Sequence, residues 1–180
     1  MSEQDRPVVY EILAFNFADQ DAASQVARKI ELAGALQGRD IVAQAVVEQD
    51  AKGKVHIHEP GKGGIGATLG AVGGGLLGLI GGPVGVLVWV VGGAALGGVA
   101  GKYLGQPISK GDLQEFGQAL QPGTSAFLLL LEDKDTEDVI QLMSGYSSDV
   151  IKLTVGEDLS GQIAAYVADE VSQSASEDND

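Results

Sequence analysis

The stretch HIHEPGKGGIGATLG, residues His56 to Gly70, holds the residue types closest to a chemical motif in this chain. Gly61, Gly63 and Gly66 spell G-x-G-x-x-G, and KGGIGAT is close to a phosphate-binding loop of the form KGGxGK followed by Ser or Thr. Such a loop cradles phosphates with backbone N–H groups, while the lysine after the last glycine reaches the β and γ phosphates. Ala67 stands at that lysine position, although Lys62 and Thr68 match the extra lysine and the hydroxyl residue. The segment behind the loop is a glycine-striped apolar run, and no acidic residue follows at the roughly 20-residue distance of a dinucleotide fold. The sequence therefore predicts no nucleotide binding.

His56 and His58 are the only histidines, and two positions apart on a strand they share a face, with Glu48 or Glu59 as neighbours. They are the metal-site candidates, although the sequence names no third ligand. Without cysteine there is no thiolate ligand, disulfide or cysteine nucleophile. No carboxylate pair or serine triad assembles in the pattern. Glu132, Asp133, Asp135, Glu137 and Asp138 read as a solvated strand end and helix start. The expectation is a protein that is not an enzyme and carries no cofactor.

Charge narrows the partners further. A net charge of −14 repels nucleic-acid phosphates and anionic head groups. Nucleic acid is thus not expected as a partner, and any membrane attachment must be hydrophobic.

Gly63 to Gly101 contain no Asp, Glu, Lys, Arg or His, although one fifth of the chain is charged. Within that run Gly66, Gly70, Gly74, Gly78 and Gly82 recur every fourth residue; beyond Pro83 the step continues through Gly85, Trp89, Gly93, Gly97 and Gly101. A four-residue step lines one helix face with small residues and lets two backbones approach closely, as helices do in lipid. In water each glycine would cost a helix about 1 kcal/mol relative to alanine, so these helices need a medium that enforces backbone hydrogen bonding. Each half approaches the roughly 20 residues that span a bilayer core. Gly81 to Pro83 break the two, and Lys62 and Lys102 flank the pair on one side. The sequence predicts a glycine-zipper helical hairpin, transmembrane and self-associating, with a homo-oligomer and the lipid bilayer as its partners. A soluble assembly with the hairpin buried between subunits stays open, as do a re-entrant placement and a metal- or ligand-binding sensor.

Around the run the pattern is that of a small α+β domain. Val8 to Phe17 read as a buried strand, residues 20–36 as a helix capped by Asp19 and stopped near Gly38, and Ile41 to Glu48 with Lys54 to Glu59 as a β-hairpin. Then follow a short helix capped by Ser109, the apolar strand SAFLLLLED, the helix DTEDVIQLMSGY, the strand DVIKLTVG and a last helix, EDLSGQIAAYVADEV. The acidic end SQSASEDND is too polar to pack and is expected to be a disordered tail. The expected plan is a ferredoxin-like sandwich, its first part at 8–60 and its second at 106–169, with the hairpin at 61–105 inserted and the tail at 170–180.

AVVEQDAKGKVHIHEPGKGG before the glycine-rich run and FGQALQPGTSAFLLLLED after it give most of the chain a resemblance. It is similar to a family of uncharacterised bacterial membrane proteins, a domain of unknown function whose members are sometimes labelled stress-related. The resemblance implies the same architecture and no catalytic residues. It extends the expectation to a protein of the bacterial cytoplasmic membrane in a stress or envelope-integrity system. The opening MSEQDRP lacks a leader's basic-then-apolar profile, so the α+β domain is expected in the cytoplasm.

Overall fold

The computed structural model describes residues 7–58, 108–147, 149–158, 160–161, 163–165, 167–168 and 172. Among them run β1 (Tyr10–Phe17), α1 (Ala22–Leu32), β2 (Ile41–Gln49), β3 (Val55–His58), α2 (Lys110–Ala119), β4 (Ser125–Glu132), α3 (Thr136–Met143) and β5 (Asp149–Thr154). The fold is α+β. All five strands form one antiparallel sheet in the order β3-β2-β4-β1-β5.

That order interlocks the two halves of the chain. β1 and β2, joined through α1, enclose β4, while β4 and β5, joined through α3, enclose β1. Neither half completes its strand pairing alone. β4 shows why it lies in the middle: from Ser125 to Leu131 every residue is buried, so both of its faces must be covered.

Alternation along the strands sends side chains to two cores. On one face Leu13, Phe15, Val46, Phe127 and Leu129 pack under Val26 and Ile30 of α1 and Val139 and Met143 of α3. On the other, Ile12, Ala14, Val47, Leu128 and Leu153 pack under Phe116 of α2, Leu120 after it and Ile163 of the C-terminal helical residues. A helical layer covers each face.

Two local expectations are corrected. The first helix ends at Leu32, short of Leu36, because Gly34 takes a left-handed φ of 60° and lets Ala35 donate back to the Ile30 carbonyl. Asp19 does not cap that helix. The N-cap is Asp21, whose side chain makes no capping bond, and Ser125 of β4 instead accepts from Ala23 N–H at 3.1 Å and donates to the Asp19 carbonyl at 2.6 Å. Ser109 does cap α2, accepting from Asp112 N–H at 3.0 Å.

Residues 59–107 carry the predicted hairpin and the glycine loop, and they lie outside the described residues. No helix among the described residues is long and apolar enough to cross a membrane. The described chain on either side lies toward the same end of the sheet, at its two opposite edges. β3 runs antiparallel to β2, toward the end where β1 begins and β4 finishes, and Ile108 forms a bridge with Val155 just past the end of β5 there.

Candidate functional site

The two histidines sit where the hairpin reading placed them, on edge strand β3. His56 lies directly opposite Glu48 of β2, and His58 opposite Val46. Asp50, Gly53 and Lys54 shape the turn between the strands. Asp50 Oδ1 accepts from the backbone N–H of Lys52 at 2.8 Å and of Lys54 at 2.9 Å, and Gly53 supplies the left-handed φ of 78° that the reversal needs.

The remaining carboxylate oxygens divide the histidines. His56 Nε2 is 3.3 Å from Asp50 Oδ2, and His58 Nε2 is 3.6 Å from Glu48 Oε2. Glu48 is further held by the Ser24 hydroxyl of α1, which donates to Oε1. Each imidazole thus has its own carboxylate, and no three His, Cys, Asp or Glu groups among the described residues converge on a point that could hold a metal. The Lys54 N–H bond, aided by His56 and the Lys52 N–H, holds the Asp50 carboxyl below the usual aspartate range.

The acidic run after β4, Asp133 aside, is also engaged within the fold. Asp138 meets Arg39 at 2.6 Å, Lys134 bridges Asp40 and Glu132, and Asp135 Oδ2 accepts from Asp40 N–H at 3.1 Å. The Asp40 carboxylate, and next that of Glu132, raises the Lys134 ammonium above its ordinary range. Glu137 and Glu11 share Lys152, and Glu11 also accepts from the buried Thr136 hydroxyl at 2.8 Å. The cluster works as a clasp joining β1, β5 and the start of α3, and the loop before β2 to α3.

A cavity of about 460 Å³ opens between the β2–β3 turn and the turn that ends α2, lined by Gln49, Lys52, Gly53, Gly117, Leu120, Gln121 and Pro122. Its walls are tied by the backbone. Gln49 N–H donates to the Thr124 carbonyl at 2.9 Å, and Gly123 N–H donates to the Gln49 carbonyl at 2.8 Å. Gln49 is fully buried; its Nε2 donates to the Gly53 carbonyl at 3.2 Å, and its Oε1 has no hydrogen-bond partner. The sequence reading missed this cavity. Its only local sign is a polar residue at an inward position of β2, and nothing local shows that α2 ends beside it.

Gly66, Gly70, Gly74, Gly78, Gly82, Gly85, Gly93, Gly97 and Gly101, the predicted helix-packing stripe, lie outside the described residues, as do Gly61, Lys62 and Thr68 of the loop. A family model for a protein of unknown function, DUF1269, matches residues 67–168, more than half of the chain. The chain belongs to the DUF1269 family. No curated protein and no solved structure matches it. The DUF1269 span takes in α2, β4, α3 and β5 but leaves out β1, which lies between β4 and β5 in the sheet. The matched span therefore depends on the preceding residues to complete its sheet.

Proposed function

We propose that this DUF1269 protein is a non-enzymatic, membrane-anchored protein that self-associates through the glycine stripe of its inserted run and presents an acidic α+β domain to the cytoplasm. The domain's finer plan, on this reading, is ferredoxin-like: β1-α1-β2 and β4-α3-β5 form interlocked split βαβ units, with β3 added at the edge and α2 on the second face. The lipid bilayer and further copies of the chain are its partners, and the bacterial cytoplasmic membrane is its place. A stress or envelope-integrity role rests on the family likeness.

The observation that carries this reading is the absence of any charge from Gly63 to Gly101, between two folded parts of one sheet. The geometry at the ends supports it. β3 points toward the same end of the sheet at which Ile108 bridges Val155, at the opposite edge, so on this reading the intervening run leaves and returns at one end of the sheet while passing from one edge to the other. Lys62 and Lys102 then stand on the domain side, as the positive-inside tendency favours. Against an enzymatic role stands the pairing of both histidines and of the acidic cluster within the fold.

Cell fractionation followed by an alkaline carbonate wash tests the anchor. Retention in the membrane pellet is the expected result. Release into the supernatant as a large particle would replace this reading with a soluble assembly that buries the hairpin between subunits.

A further inference from the structure

We infer that the cavity beside Gln49 is a binding site for a small carboxylate that also carries an N–H or O–H donor, the chemistry of an amino acid or a hydroxy acid. The inference concerns the α+β domain and stands apart from the membrane reading.

Three features select that ligand class. First, the cavity of about 460 Å³ falls in the range of small-molecule sites, and it lies between two turns whose backbones are fixed to each other. Second, Gln49 is fully buried, yet its Oε1 has no donor while Nε2 is committed to the Gly53 carbonyl. A buried carbonyl oxygen without a partner forfeits the hydrogen bonds it would make to water, and a ligand N–H or O–H restores one. Third, Lys52 at the rim is a cation in a chain of net charge −14 and has no ion pair among the described contacts. It offers the carboxylate its counter-charge, while Leu120 and Pro122 add apolar wall for a short carbon chain.

Gln49 Oε1 itself has almost no accessible surface. A ligand that bonds it must therefore shift side chains at the cavity wall, where Lys52 and Gln121 are exposed. Binding therefore couples the β2–β3 turn to the end of α2.

Isothermal titration calorimetry on the full-length protein in detergent micelles tests the site with three related probes. L-serine carries both groups, propionate lacks the donors and ethanolamine lacks the carboxylate. L-serine is expected to bind saturably, and the other two at least tenfold more weakly. Gln49→Met, which keeps the side-chain length but removes the acceptor, and the surface change Lys52→Ala are each expected to weaken L-serine at least tenfold, with the unfolding midpoint checked alongside. No saturable L-serine binding, equal affinity for the three probes, or unchanged affinity in both folded variants would overturn the inference.

Discussion

Ile108 forms an antiparallel bridge with Val155 just beyond the end of β5, on the side of the sheet toward which β3 carries the chain away. This one backbone contact fixes where the chain re-enters the domain after the uncharged run.

If the glycine stripe is a packing surface, Gly74→Leu places a branched side chain where two backbones must touch. Crosslinking in membranes should then give a smaller oligomer yield, while the unfolding transition of the α+β domain stays in place. Unchanged oligomer size would count against the stripe.

Ser125 and the start of α1 make a second test. Replacing Ser125 with Ala removes the acceptor for Ala23 N–H and the donor to the Asp19 carbonyl, in a site where the hydroxyl is wholly buried. A loss of about 1–3 kcal/mol is expected from the orphaned groups, read by urea denaturation. A change within error would mean that water or another group takes over the cap.

Ser109→Ala should cost less, about 1 kcal/mol, because the cap is exposed and water can serve Asp112 N–H. The same denaturation curves measure it, and Ser125→Ala should be the more damaging of the two.

Acid should act partly through Asp50. Its carboxyl is held below the free value of 3.8, first by the Lys54 N–H bond and next by His56. A depressed folded pKa contributes stability that is full above the unfolded value and is lost as pH falls through the folded one. The acid limb of the stability profile below pH 3.8 should therefore be shallower in Asp50→Asn, and an NMR titration should place the Asp50 midpoint below 3.8. A midpoint at or above that value would contradict the turn geometry.

Much of this domain is legible in its sequence because local signals agree with the tertiary outcome. The seven apolar or small residues Ser125 to Leu131 mark a strand covered on both faces, and Ser109 with Asp112 marks a helix start. Hairpin β2–β3 follows from the polar turn around Gly53, which also brings His56 opposite Glu48. What the sequence hides is what distant segments supply. Asp19 looks like a cap, but the actual donor and acceptor for the helix start come from Ser125, over 100 positions later. Gln49 likewise becomes a cavity wall only because α2 ends above it, and the histidines' partners are chosen by the carboxylate each ring can reach.

Trp89 gives the most direct measurement, since it is the chain's single tryptophan and lies inside the uncharged run. In vesicles containing lipids brominated along the acyl chain, its fluorescence should be blue-shifted and strongly quenched, because bromine quenches only on contact within the hydrocarbon. Emission that no brominated lipid quenches, from protein recovered with the vesicles, would contradict insertion of this run into the bilayer.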